Sequence, residues 1–253
     1  MGTNKASKRP ADWYVAILAL ARFNQRNSQV RPHDQNGLGD TVEAVGRYLL
    51  GQICNMDQTP LPFEFLSGQT YEQKGSKTVW IKGTTSGWDK RQATLQLTVF
   101  ADAGMRVVPL IFFKGKGVGP SILCEMSHYD PRVKVKFNPM AYANSQNMEK
   151  WIEEELVPAI NGHPGLLALD LFGGHKTDNV LDYLKAHDIT LSVIPAGCTG
   201  IVQPRDISIN GPFKDILKVF IIIYFGYNTI RIVFIFIFIY YCFYLHGVLI
   251  LLL

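Results

Sequence analysis

The sequence predicts an α/β domain with a mixed sheet and flanking helices, followed by a hydrophobic C-terminal tail. Short β-rich runs separated by turn-forming stretches begin at Gln52, and they predict strands of a mostly antiparallel set. Further along, the apolar run LLALDLF is followed by a predicted helix over Thr177–His187 and by a second run, ITLSVIPA. Strand, helix and strand in this order predict a parallel pair.

The β-rich runs are QICNMD, KTVWIKG, ATLQLTVFAD and RVVPLIFFKG. Between them and the β-α-β unit, Gln146–Ile160 has the spacing of an amphipathic helix that packs on the sheet. Its predicted apolar face consists of Met148, Trp151, Ile152, Leu156 and Ile160. An antiparallel set joined to a β-α-β unit is the element order of an RNase H-like domain.

Residues 1–50 are interpreted as a helical lead-in to this domain. One helix is predicted around Asp12–Arg22 and a second near Thr41–Leu50, with a polar loop between them. The polar, basic N-terminus is not followed by a small-residue cleavage site, so no secretory signal is predicted.

Composition and charge restrict the function only loosely. A chain of 253 residues with 47% hydrophobic content can bury one sizeable core. The net charge of +4 permits a nucleic-acid partner without requiring one. The four cysteines form no C-x-x-C pair, so neither a zinc site nor a disulfide framework is indicated.

The composition changes sharply beyond Lys218. Arg231 is the one formally charged residue after it, and Ile232–Leu253 has the length of a membrane span. The competing interpretation is that this segment is not a genuine part of the protein. It would then be the translation of A/T-rich DNA that follows a frameshift, a mispredicted intron or the broken end of a decayed element. We favour this second interpretation, so residues 219–253 are expected to be a truncation or frameshift artefact and a membrane partner is not expected.

Three aspartates stand at positions where carboxylates can converge on metal ions. Asp57 follows the apolar residues ICNM, before two prolines that are expected to end the strand. Asp170 lies inside an apolar strand, where an unpaired charge is costly. Asp206 precedes a predicted helix. From the pattern alone, Asp206 fits an ordinary aspartate at a helix start better than a metal ligand. For Asp57 the structural and the metal-binding interpretations remain equally open. Asp170 favours a functional role, because its apolar setting is unusual for a charged residue.

Several strings in order resemble the DDE domain of pogo and Tigger-type transposases, the superfamily that includes centromere-protein-B-like and jerky-like proteins. They are NMDQTPLPFEF, GSKTVWIKGTTSGWDKRQATLQLTVFADAG, YDPRVKVKFNP and LLALDLFGGHKTDNVLDYLKAHDITLSVIPAGCTGIVQPRDISINGPFKD. The resemblance covers about residues 52–217 and assigns an RNase H-like catalytic domain to residues 51–218.

The resemblance implies that Asp57, Asp170 and Asp206 hold two Mg²⁺ or Mn²⁺ ions for DNA strand cleavage and strand transfer. It further implies DNA as the partner, a homo-oligomer and a nuclear location, with a membrane location as the alternative if the tail is genuine. His175 and Lys176 closely follow the second aspartate and are secondary candidates for phosphate contact.

The sequence also departs from the family pattern. Residues 1–50 contain no recognisable pair of helix-turn-helix modules, the family's C-terminal continuation is replaced by the hydrophobic tail, and Arg205 stands where an apolar residue is common. We therefore expect a truncated transposase core, for which activity and inactivity both remain open. The alternative function is a non-catalytic, domesticated or decayed DNA-binding protein.

Overall fold

The computed structural model describes residues 10–32, 34, 43–61, 92–129, 131–170, 177–203 and 205–215. The strands in these ranges are β1 (Ala44–Val45), β2 (Tyr48–Leu49), β3 (Ile53–Leu61), β4 (Ala93–Phe100), β5 (Leu110–Lys114), β6 (Lys134–Asn138), β7 (Gly165–Asp170) and β8 (Ile189–Ile194). The helices are α1 (Trp13–Asn27), α2 (Pro120–Met126), α3 (Ser145–Trp151), α4 (Val157–Ile160), α5 (Asp178–Ala186), α6 (Thr199–Val202) and α7 (residues 205–215).

Six of the described strands form one mixed sheet in the order β6-β5-β4-β3-β7-β8. Strands β3, β4 and β5 are antiparallel neighbours, whereas β7 lies parallel to both β3 and β8. The predicted antiparallel set and parallel β-α-β unit are therefore confirmed, and the mixed sheet with flanking helices is an RNase H-like fold. Strand β6, which pairs in parallel with β5, was not predicted.

One face of the sheet is covered by the amphipathic helix predicted over Gln146–Ile160. The helix runs through α3, a π turn at Ile152–Leu156, and α4. Its predicted apolar face is confirmed, because Met148, Trp151, Ile152, Leu156 and Ile160 are all buried. They pack in the largest apolar cluster together with Val180 and Leu184 of α5. Alternate sheet residues complete this cluster, including Cys54, Met56, Leu167 and Leu169.

The opposite face carries a smaller apolar cluster that Phe213 of α7 covers. The sheet contributes Leu61, Ala93, Leu95, Leu97, Ile111 and Phe113 to it. Helix α1 contacts β8, where the hydroxyl of the buried Ser192 donates a 2.7 Å hydrogen bond to Oδ1 of Asn24. Helix α1 itself extends five residues beyond the predicted end at Arg22.

The second helix predicted near Thr41–Leu50 is wrong. The described residues there form the hairpin β1–β2 and a 3₁₀ turn over Leu50–Gln52. Gly46 has a φ of +58° at the first of the two turn positions, and an added Cβ would lie 1.9 Å from the carbonyl oxygen of Ser28. A two-residue turn that begins with glycine favours a hairpin over a continuous helix.

Strand β3 does not end at Asp57 as predicted, because it continues through Pro60 to Leu61. Its pairing with β7 is recorded only as far as Asn55, whereas β4 pairs with it to the end. Among the residues that the structure describes, β4 is thus the one strand paired with β3 beyond Asn55, and proline is tolerated where its missing N–H is not needed for a ladder.

Some predictions fall outside the described residues. These are the strand KTVWIKG, the loop with His175 and Lys176, and the tail over 219–253. Among the helices that the structure describes, none is both long and apolar enough to cross a membrane.

Candidate metal centre

Asp57 and Asp170 are brought together by the register of two neighbouring parallel strands. Asn55 of β3 lies opposite Ala168 of β7, and each aspartate follows two residues later on its own strand. Because side chains alternate along a strand, both carboxylates lie on the face that carries Asn55 and Ala168. Asp57 is 8% exposed and Asp170 is half-buried.

Asp206 reaches the same face from helix α7. The helix begins with a π turn at Arg205–Ile209 and continues to residue 215. Asp206, Asn210 and Phe213 follow one another at spacings of four and three, which places them along one side of a helix. Phe213 is buried against the sheet, so it holds this side of α7 towards β3 and β4, while Asp206 itself is exposed.

The side chain of Asn210 connects two of the three carboxylates. Its Nδ2 donates a hydrogen bond of 2.7 Å to Oδ1 of Asp206 and one of 3.2 Å to Oδ2 of Asp57. Asn210 is only 7% exposed, and its bond to Asp57 is buried, whereas its bond to the exposed Asp206 is partly buried. The backbone N–H of Gln58 also donates to Oδ1 of Asp57, at 2.7 Å, and fixes that carboxylate on its strand.

The third carboxylate is electrostatically coupled to the other two. Burial raises the pKa of Asp170 above its ordinary value, and the negative charges of Asp57 and Asp206 raise this pKa further. Like-charge repulsion of this kind requires that the three groups share one neighbourhood. A nearby cation would relieve it.

The three carboxylates are the type of ligand that a hard divalent cation binds. Three aspartates from separate elements offer the oxygen ligands that Mg²⁺ and Mn²⁺ prefer. Within the described residues, however, no three histidine, cysteine, aspartate or glutamate side chains are arranged closely enough to hold one ion.

The structure brings together all three aspartates singled out from the sequence, but the secondary candidates His175 and Lys176 lie outside the described residues. The side chain of Arg205 also lies outside them. Sequence reasoning missed Asn210. The signal was present, because a polar residue four positions after Asp206 in a helix faces the same way.

Comparison with known proteins identifies the family. Residues 90–223, more than half of the chain, match the DDE superfamily endonuclease family. This range contains Asp170 and Asp206, and Asp57 precedes it.

The relatives among curated proteins are named after the pogo transposable element. The chain is 27% identical over 174 residues to the human "Pogo transposable element with KRAB domain", covering 68% of the chain and 27% of that protein. The mouse protein of the same name is 26% identical over 174 residues, with the same two coverages. The human "Pogo transposable element with ZNF domain" is 26% identical over 172 residues, covering 66% of the chain and 11% of that protein. The chain thus spans about a quarter or less of the length of these relatives.

Among solved structures, the chain is similar to the Mos1 transposase paired-end complex with left transposon end. The TM-score is 0.46 at 12% identity, covering 92% of this chain and 55% of that one. The Mos1 mariner paired-end complex with Mn has a TM-score of 0.46 at 12% identity, covering 90% and 57%.

The family match covers more than half of the sequence. The chain belongs to the DDE superfamily endonucleases, and the curated proteins it resembles bear the name of the pogo transposable element.

Proposed function

We propose that this chain carries the centre of a pogo-type transposase that cleaves DNA strands and transfers them with the help of two divalent cations. The observation that carries the proposal is the convergence of Asp57, Asp170 and Asp206 from two strands and a helix onto one face of the sheet. The charges of Asp57 and Asp206 raise the pKa of Asp170, and mutually repelling carboxylates of this kind are common at functional sites.

The three aspartates are held in place by different elements of the fold. Asp57 lies on β3, between β4 and β7 in the sheet order, and its carboxylate accepts a hydrogen bond from the backbone of Gln58. Asp170 is the last residue of β7, at the strand end where α/β sheets usually bind ligands. Asp206 depends on the docking of α7, which Phe213 secures. Two carboxylates are therefore fixed by the sheet, and the third is fixed by a helix.

The chemistry needs hard oxygen ligands and a site for the phosphodiester. Two bound Mg²⁺ or Mn²⁺ ions would supply activation of the attacking oxygen and stabilisation of the leaving oxygen. The chain's own contribution is to hold three carboxylates at a strand end that is open enough for a DNA strand to approach. Half-buried Asp170 and exposed Asp206 meet that requirement.

DNA as the substrate, action in the nucleus and assembly as a homo-oligomer are parts of the same proposal. Membership in an endonuclease family and the net charge of +4 support a polyanionic partner. Genomic DNA as a substrate requires access to the nucleus in a eukaryotic cell, and imaging of a fluorescently tagged full chain tests that location.

Nicking of supercoiled plasmid by the full chain tests the proposed activity. We expect nicking with Mg²⁺ or Mn²⁺ and none with EDTA. Asp57→Asn, Asp170→Asn and Asp206→Asn should each lower the rate by at least roughly 100-fold, because each removes a charged ligand. Asp182→Asn is the matched control, since Asp182 is 75% exposed on α5, and it should nick like the wild type.

The alternative is a DNA-binding protein without catalysis. Salt-dependent binding of DNA by a folded chain that never nicks would establish this alternative. The same outcome would show that the truncated core is inactive.

A further inference from the structure

Asn210 occupies a position between two carboxylates that belong to different parts of the fold. Asp57 is part of the central sheet, and Asp206 lies one helical turn before Asn210 on α7. The two hydrogen bonds from Nδ2, of 2.7 and 3.2 Å, use both hydrogens of one NH₂ group. The oxygens that they reach, Oδ1 of Asp206 and Oδ2 of Asp57, can therefore be no farther apart than the two bond lengths together.

The amide nitrogen does part of what a cation would do. Two carboxylates near one another in a partly buried site repel, because the low local dielectric strengthens the interaction. The positive end of the Asn210 amide dipole lies between them and offsets that repulsion. Hydrogen bonds from an amide to ionised carboxylates are shorter and stronger than those between neutral groups.

A cation and the amide compete for the same oxygens. An ion that bridges Asp57 and Asp206 must approach their oxygens to about 2.1 Å, as Mg²⁺ does. The NH₂ group of Asn210 lies between these two oxygens, so an ion that bridged the same pair of oxygens would break at least one of the two hydrogen bonds. An interaction that stabilises the metal-free state and is lost on binding weakens the apparent affinity.

We propose that Asn210 is a positioning residue that stands in for a cation. Its NH₂ group holds Asp57 and Asp206 together in the metal-free chain, and a divalent cation displaces it. This inference rests on the proposed metal centre and adds to it a residue outside the three aspartates.

The proposal predicts opposite effects on stability and on metal affinity. Asn210→Ala removes both hydrogen bonds, so the metal-free Tm falls while Mn²⁺ binds more tightly, on the order of tenfold. Asn210→Asp has nearly the same shape but adds a negative charge. It should lower the metal-free Tm further and raise the Mn²⁺ affinity above that of Asn210→Ala.

The experiment uses the full chain in two measurements. Thermal unfolding with EDTA gives the metal-free Tm, and calorimetric titration with MnCl₂ gives the Kd. Asn24→Ala is the matched control, because Asn24 is also a buried asparagine and accepts a 2.7 Å hydrogen bond from Ser192 of β8. This control should have a lower Tm and the Kd of the wild type.

The other outcomes overturn the proposal in distinguishable ways. Weaker Mn²⁺ binding by Asn210→Ala would make Asn210 a ligand, and an unchanged Kd with a lowered Tm would make it merely structural. If Asn210→Ala does not fold, the Mn²⁺ affinity of Asn210→Asp tests the proposal instead. The proposal requires that Asn210→Asp bind Mn²⁺ more tightly than the wild type does. A folded wild type that binds no Mn²⁺ would remove both the proposed metal centre and this inference.

Discussion

Asp170 shows at the scale of a single residue how far sequence reasoning reaches. A charged residue within an apolar strand is costly, so the sequence alone marked it for a function. The structure supplies what the sequence did not contain, namely the two charged neighbours that raise its pKa. The hydrogen bond from Asn210 to Asp57 could not be predicted for the same reason, because Asp57 is distant in sequence and meets Asn210 only through the docking of α7.

The ion pair between Asp102 and Arg106, outside the candidate metal centre, makes a pH-dependent contribution to stability that can be measured. The hydrogen bonds from Arg106 hold the pKa of this carboxyl below its ordinary value, and the backbone N–H of Gly104 adds to the effect. A carboxyl whose pKa is lower in the folded chain stabilises the fold at pH values above its unfolded pKa of about 3.9. That contribution is lost as the pH falls through the folded-state pKa.

Asp102→Asn should therefore lower the free energy of unfolding at pH 7 by roughly 0.5–1 kcal/mol, a modest effect because the pair is partly exposed to solvent. The difference from the wild type should begin to shrink as the pH falls below the unfolded pKa of about 3.9 and should vanish below the lower folded pKa. Urea unfolding at a series of pH values measures it, with Asp182→Asn as the exposed control. A difference that stays constant with pH would contradict the assignment.

At the scale of elements, predictions succeeded where a long periodic pattern was present. The apolar face of the helix over Ser145–Ile160 and the β-α-β unit were predicted correctly, because each has many positions that repeat one signal. The helix near Thr41–Leu50 failed because the short segment depends on the turn at Gly46. The end of β3 was misplaced because the effect of Pro60 depends on which neighbouring strands are present.

Helix α7 gives the element-scale prediction. Phe213→Ala should lower the free energy of unfolding by roughly 3–5 kcal/mol, or by less if α7 alone detaches, because it empties a buried position. It should also weaken Mn²⁺ binding, since Asp206 and Asn210 reach the site only when the helix is docked. Thermal unfolding and calorimetry measure the two effects.

Leu184→Ala is the matched control, because Leu184 is buried in the cluster on the opposite face of the sheet. It should lower stability by roughly 2–5 kcal/mol and leave the Mn²⁺ affinity unchanged. Equal losses of metal affinity in both variants would show that α7 has no special role.

At the scale of the whole molecule, the two faces of the sheet have different tasks. One face is packed by α3, α4 and α5 around the largest apolar cluster. The other carries the aspartates, Asn55 and a smaller cluster under Phe213. The fold class was predictable because element order restricts the topology of a mixed sheet, whereas the assignment of faces required the register between β3 and β7.

The central claim is that the three aspartates form one metal centre, and Mn²⁺ titration of the full chain by calorimetry tests it most directly. We compare the wild type with Asp170→Ala and with the exposed control Asp182→Ala. The account predicts binding by the wild type and by Asp182→Ala, and none by Asp170→Ala. Absence of binding by a folded wild type, or equal binding by all three chains, would contradict it.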